Sequence, residues 1–130
     1  VHYISNTPGV RQRMVKLQRK FASEGNTIAE GRDMGTVVFP QAEKKFFLDA
    51  EIEERARRRY GESKPSEKGI SYADVIKDIE IRDKRDTTRN NSPLIKSSDA
   101  ICINTTKMAI EEVINLIIKQ IEYEGKNGSV

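Results

Sequence analysis

The sequence predicts an α/β fold with a largely parallel sheet. Two observations carry this reading. Short apolar runs alternate with helical segments whose apolar residues recur at steps of three and four. Only three runs are convincing strands, at 27–29, 45–50 and 100–103. Three strands make a narrow sheet with exposed edges, so the sheet is expected to need partners that these residues do not supply.

Each element follows from local chemistry. Thr7-Pro8 offers a hydroxyl cap and a proline for the first turn of a helix. Val10, Met14, Leu17 and Phe21 then mark one buried stripe, which ends at Glu24-Gly25-Asn26. Thr27-Ile28-Ala29 reads as a short strand running into Gly31-Arg32-Asp33-Met34-Gly35, and Thr36-Val37-Val38-Phe39-Pro40 as an extended segment stopped by proline. Lys45 to Ala50 is the second strand, and Glu51 to Tyr60 a helix rich in opposite charges. Gly61 to Gly69 carries Gly, Ser, Pro and Lys and reads as a mobile loop. Ser71 with Asp74 forms an acidic capping box, opening a helix that is apolar at Val75, Ile76 and Ile79 and strongly charged through Arg89. A loop with Pro93 leads to the third strand, Ala100-Ile101-Cys102-Ile103. Ile110, Val113, Ile114, Ile117, Ile118 and Ile121 mark a last amphipathic helix, followed by a polar tail.

Composition narrows the function classes. The 130 residues fit one domain or a large piece of one, and a chain that starts at Val1 is read as processed or as part of a longer sequence. No run approaches the length of a membrane span, and the first residues lack a signal-peptide pattern. The net charge is +3, a weak basic bias that an ordinary surface explains. One cysteine, Cys102, rules out an internal disulfide, suits a cytoplasmic setting, and is expected to be a small buried residue. No metal-ligand spacing occurs. With His2 the sole histidine, no Ser-His-Asp set can form. No G-x-x-x-x-G-K-S/T phosphate loop is present in these residues.

Three constellations could carry chemistry. Arg82, Arg85, Asp86 and Arg89 project from one helical face, continuing the line of Val75 and Ile79. Guanidinium forks suit phosphate oxygens, and a carboxylate accepts from ribose hydroxyls; the alternative is a solvated face with internal ion pairs. Gly31-Arg32-Asp33-Met34-Gly35 follows a strand directly, where ligands of open α/β sheets bind; the alternative is a polar turn. Arg55-Ala56-Arg57-Arg58-Arg59 is explained structurally by Glu51–Arg55, Glu53–Arg57 and Glu54–Arg58 pairs at four residues. Yet arginines leading into a mobile loop can also swing onto transferring phosphates.

These pieces resemble bacterial cytidylate kinase. The resemblance rests on Gly31-Arg32-Asp33-Met34-Gly35-Thr36-Val37-Val38-Phe39-Pro40, on Pro8-Gly9-Val10-Arg11 with Leu17-Gln18-Arg19-Lys20-Phe21, and on Phe47-Leu48-Asp49-Ala50. Further along, Arg55 to Tyr60, Arg82-Asp83-Lys84-Arg85-Asp86 with Arg89, Pro93-Leu94, Ser98-Asp99-Ala100 and Glu112-Val113 complete it. It implies a three-layer P-loop nucleoside-monophosphate-kinase fold with a parallel sheet. Residues 1–130 would be the C-terminal part of that single domain, with a lid at about 53–89 and a tail at 123–130. The implied reaction transfers the terminal phosphoryl of ATP to CMP or dCMP, with Mg2+ accompanying ATP.

The resemblance also distributes roles. It puts Arg32 and Arg89 on the CMP phosphate, Arg11 and Asp33 on the cytosine, and Arg82 and Asp86 on the sugar. Arg58, Arg59 and Arg85 fall to the lid and charge stabilisation, and Asn104, Thr105 and Thr106 to the adenine vicinity. At His2 the family has a serine near the base. The implied protein is cytoplasmic and monomeric when complete, with nucleotides as partners and neither nucleic acid nor membrane. Without the phosphate loop, this piece alone is expected to be inactive. Two other readings compete. One is a non-catalytic nucleotide-binding domain derived from the kinase fold. The other is an RNA-binding module, although no aromatic residue interleaves with the arginines as a stacking platform requires.

Overall fold

The computed structural model describes residues 7–62, 69–90 and 92–125. His2, residues 63–68 of the expected loop and lid, and residues 126–130 of the expected tail lie outside them. The elements are helix α1 (Pro8–Ala22), a π-helical turn (Met34–Val38), strand β1 (Phe46–Asp49), helices α2 (Ile52–Glu62) and α3 (Tyr72–Thr88), strand β2 (Ile101–Asn104) and helix α4 (Ile110–Gly125). Residues 123–125, expected in the tail, are therefore helical. The chain divides into two compact units, one of Val1–Glu43 with Lys84–Ser98, the other of Lys44–Asp83 with Asp99–Val130.

In the second unit, β1 and β2 pair in parallel, with Phe46 opposite Ile101 and Asp49 opposite Asn104. The parallel pairing expected from alternating strands and helices is present. The ladder continues past both ends, as Ile101 N donates to Lys45 O at 2.9 Å and Thr105 N to Asp49 O at 2.7 Å. Lys45 adds an ion pair to Asp99 at 2.7 Å. The helices between the strands supply the core. Ala56 of α2 and Val75 and Ile79 of α3 are buried together, with Ile52 and Ile76 packed against them. Each buried Val or Ile is worth about 1.5–3 kcal/mol. Helix α3 starts as its capping box predicts. Asp74 accepts from Ser71 N at 2.9 Å, and Ser71 Oγ accepts from Asp74 N at 3.1 Å. The Ser71 hydroxyl, which donates to the Asp74 carboxylate at 2.7 Å, and then the Ser71 N–H hold that carboxyl below its usual range.

In the first unit, α1 has its proline at the first turn, but Thr7 makes no side-chain cap bond. Val10, Met14 and Phe21 are exposed, so the expected buried stripe of α1 is not buried. The same holds for Ile110, Ile114, Ile118 and Ile121 of α4 in the other unit. Helical period reports an apolar face, not what covers it.

Two expected extended segments are not strands. Thr27-Ile28-Ala29 has no ladder partner, since the only sheet among the described residues is β1–β2, and Ile28 is 96% exposed. Thr36 to Phe39 winds into the π-helical turn instead, where Val38 N donates to Asp33 O and Phe39 N to Met34 O, each five residues back. Its β-branched residues gave the extended reading, but local hydrogen bonding outweighed a propensity that depends on cross-strand neighbours. Cys102 is exposed, not buried. Alternate residues of a strand face opposite ways, and Ile103 takes the buried side.

Candidate functional site

The first unit gathers most of the expected acceptor residues. Asp33, 5% exposed, sits at the start of the π-helical turn. Arg11, from the first turn of α1, gives one guanidinium nitrogen to the Asp33 carboxylate and its Nε to Ser92 Oγ at 3.2 Å. Asp86, 4% exposed, lies near the end of α3. It faces Arg32 Nε at 3.3 Å and Arg85 Nη2 at 3.3 Å. Both contacts are longer than an ordinary charge-assisted hydrogen bond. The Asp86 carbonyl accepts from Leu94 N at 2.7 Å, folding the loop after α3 back on the helix.

Arg89 is the unusual member. Its Nε donates to the Ser92 carbonyl. Its Nη2 is buried and has no hydrogen-bond partner, alone in this among the described residues. A buried unpaired donor on a charged group is costly, and native structures rarely tolerate one without a purpose. Three arginines, Arg11, Arg32 and Arg85, thus meet two buried aspartates, and Arg89 adds a fourth guanidinium bound to the Ser92 carbonyl. The excess of positive charge and the unspent donor suit a small, multiply charged anion with planar-fork acceptors, which phosphate provides.

Ser92 escaped the sequence reading. It has φ of 53°, the only positive value among the described non-glycine residues. That left-handed backbone is uncommon outside Gly, Asn and Asp. It puts the Ser92 hydroxyl on Arg11 and its carbonyl on Arg89. The turn-forming run Asn90-Asn91-Ser92-Pro93 was the available signal.

The residues expected on the lid and near the adenine behave differently. Arg58 of α2 is fully engaged. It bonds Glu54 at 2.7 Å through Nε, Thr105 Oγ1 at 3.0 Å through Nη1, and Thr105 O at 2.6 Å through Nη2. Thr105 Oγ1 also donates to Asp49 O at 3.1 Å. Thr106 Oγ1 accepts from Glu51 N at 2.9 Å, just before α2, and Asn104 Oδ1 accepts from Thr106 N at 3.0 Å. This strand-end triplet therefore spends its side chains on holding β1, β2 and α2 together.

Of the three Glu–Arg pairs expected along α2, only Glu54–Arg58 forms. Arg57 pairs with Glu54 instead, and Arg55 reaches across to Asp83 at 2.6 Å and to Ala50 O at 2.9 Å. Two arginines converge on Glu54. Their hydrogen bonds, Arg57's first, take its carboxyl from the ordinary 4.5 to about 2, and the Glu54 carboxylate raises the Arg57 guanidinium in turn. Arg59 and Arg82 lie exposed on α2 and α3.

Among the described residues, no group of three or more His, Cys, Asp and Glu side chains could hold a metal ion, and no helix is long and apolar enough to cross a membrane.

Comparison with known proteins gives one answer. The family model for cytidylate kinase matches residues 1–123. The cytidylate kinase of Fusobacterium nucleatum is 51% identical over 113 residues, which is 87% of this chain and 52% of that protein. That of Carboxydothermus hydrogenoformans is 46% identical over 127 residues, 98% of this chain and 56% of the relative. The Bacillus velezensis protein is 45% identical over 118 residues, covering 91% and 53%. The chain spans about half the length of the curated relatives it matches.

Proposed function

The chain belongs to the cytidylate kinase family, and from that premise we propose that the complete protein transfers the terminal phosphoryl group of ATP to CMP or dCMP. The observation that carries the acceptor assignment is the buried, unpartnered Nη2 of Arg89 beside the Arg32–Asp86 and Arg11–Asp33 pairs. The resemblance noted from sequence expected a phosphate at Arg32 and Arg89, a base at Arg11 and Asp33, and a sugar at Asp86 and Arg82. Five of those six residues belong to the first unit; Arg82 belongs to the other.

In this reading the CMP phosphate accepts from Arg89 Nη2 and from Arg32, which swings from its long contact with Asp86. Asp33 accepts from the exocyclic amine of cytosine, and Arg11, its partner, orients the carboxylate. Uracil has no donor there, so it would leave a buried acceptor unpaired, the kind of mismatch a site rejects strongly. Asp86 accepts from sugar hydroxyls. Phosphoryl transfer needs positioning and charge stabilisation more than covalent chemistry. Arg59 and Arg85 are proposed for that charge set, within a lid at 53–89. Arg58 joins it only by giving up Thr105. Asn104 to Thr106 would meet the adenine through backbone groups, since their side chains are engaged.

Magnesium would arrive with ATP. The described residues offer no cluster to bind it, and no step is assigned to it through them. The sequence has no G-x-x-x-x-G-K-S/T loop, so these 130 residues alone are proposed to be inactive. CMP-dependent ADP formation by the isolated chain would overturn that.

The test of the acceptor site is Asp33→Ala in the complete protein. CMP kcat/KM should fall by about 100-fold or more while the KM for ATP stays within about twofold, as a lost charge-assisted bond to one substrate predicts. Equal losses for both nucleotides would contradict the assignment.

A further inference from the structure

Building on the CMP reading above, we infer that Arg19 is a positioning residue that sets the base specificity of the acceptor site by holding the π-helical turn that carries Asp33. The turn needs such support. Five-residue π-helical bonding is rare and normally occurs as a bulge inside an α-helix, whose flanking turns sustain it. Here it stands outside any α-helix. The Asp33 carbonyl accepts from Val37 N at 2.9 Å and Val38 N at 3.2 Å, and the Met34 carbonyl from Phe39 N at 2.7 Å. The turn then ends, leaving its last carbonyls without partners of its own, as at any helix C-terminus.

Arg19 supplies those partners. From the last turn of α1 its Nε donates to Val38 O at 2.7 Å and its Nη2 to Val37 O at 2.8 Å. Two consecutive carbonyls are thus held by one planar fork. A lysine ammonium, a point charge on a flexible stem, reproduces the attraction but not this fixed two-point geometry. Val38, 1% exposed, anchors the same end by packing.

The other end of the turn is held from the same helix. Arg11 pairs with the Asp33 carboxylate. Arg11 and Arg19 are eight residues apart, a little over two helical turns, or about 12 Å along α1. Helix α1 therefore grips the turn at its entry through a side chain and at its exit through the backbone. The register between Arg11 and Asp33, which decides where the carboxylate meets the base, depends on both grips. If Arg19 lets go, the exit is free, the turn relaxes, and Asp33 can shift against Arg11. Losing a base-reading acceptor costs discrimination before it costs binding of the shared phosphate and sugar.

The experiment uses the complete protein with Arg19→Met and Arg19→Lys. In Arg19→Met the ratio of kcat/KM for CMP over UMP should fall by about tenfold, the equivalent of one modest hydrogen bond. The KM for ATP should stay within about twofold. Arg19→Lys should recover part of the ratio. An unchanged CMP/UMP ratio in a folded Arg19→Met protein, or full recovery by lysine, overturns the proposal. Amide hydrogen exchange at Val38 and Phe39, read without substrate, separates this inference from the function on which it rests. Faster exchange in Arg19→Met supports the grip even if the wild-type protein fails to use CMP, a result that sinks the CMP reading alone. Unchanged exchange overturns the grip whatever the activity.

Discussion

The two units of the chain use arginine in opposite ways. In the first, Arg32 meets Asp86 at 3.3 Å, and Arg89 keeps a buried donor unspent. In the second, Arg55, Arg57 and Arg58 have donors committed to Asp83, Ala50 O, Glu54 and Thr105. The sequence shows two similar arginine clusters. The structure separates them by where the donors go. A guanidinium with all partners supplied by its own unit stabilises the fold; one with a partner missing is poised for something that arrives. The difference predicts that variants of Arg32 and Arg89 change function with little effect on stability, and variants that break the second unit's arginine network do the reverse.

Arg89 gives the largest expected effect. Replacing it by Met in the complete protein should lower kcat/KM for CMP by about 100- to 1,000-fold, the loss of one or two charge-assisted hydrogen bonds of about 1.5–3 kcal/mol each. Stability should move by no more than about 1 kcal/mol, because the one bond lost in the free protein, Nε to the Ser92 carbonyl, is offset by removal of a buried donor that has no partner there. Denaturant midpoints and steady-state kinetics on the same preparations read both. A marked fall in stability with CMP use intact would abolish the contrast between the units.

Thr105 tests the opposite limb. Its hydroxyl accepts from Arg58 and donates to the Asp49 carbonyl, linking α2 to the ends of both strands. Thr105→Val keeps the shape and removes both bonds, leaving Arg58 Nη1 without that acceptor. The expected cost is about 1–3 kcal/mol of stability. CMP binding, measured by calorimetry on the complete protein, should be unchanged within about twofold. Loss of CMP affinity without loss of stability would mean that the second unit's arginines serve the acceptor site after all.

Much of this division was legible in sequence and part was not. Helices α1 to α4 and the parallel pair were readable because period and capping are local: Pro8, the Ser71–Asp74 box and the isoleucine stripe each act within a few residues. The burial of Val75 and Ile79 on α3 was readable for the same reason, whereas that of Asp86, on the charged continuation of the stripe, was not. The turn at Met34–Val38 was misread, since Val37 and Val38 favour a strand only where a neighbour exists to pair with. Arg19 was visible as a residue but not as a support, because its two acceptors are backbone carbonyls 18 and 19 positions away that carry no sequence signature. Ser92 was missed for a related reason: its role depends on a left-handed backbone that Asn or Gly would announce and Ser does not. The roles of Arg55 and Arg57 were misassigned because spacing of four permits a pair but does not choose between competing carboxylates.

Glu54 carries the smallest expected effect and the sharpest sign. Arg57 and Arg58 draw its carboxyl from 4.5 to about 2 in the folded protein. A depressed folded value means that the unfolded chain takes up its proton first as the pH falls. The stabilisation is therefore whole above pH 4.5 and is lost progressively as the pH drops toward 2. Solvent reaches the cluster, so screening keeps the effect modest and salt should reduce it. The measurement is the difference in denaturant midpoint between the complete wild-type protein and Glu54→Gln, followed from pH 6 down to about 2.5. The Ser71-bound Asp74 titrates in the same direction, and it cancels in that difference because both proteins retain it. The wild-type advantage should shrink steadily with acid and shrink at all pH values in high salt. An advantage that persists unchanged at low pH would show that Arg57 and Arg58 hold α2 through contacts other than Glu54, and would move the weight of the second unit's arginine network onto the Arg58–Thr105 bonds.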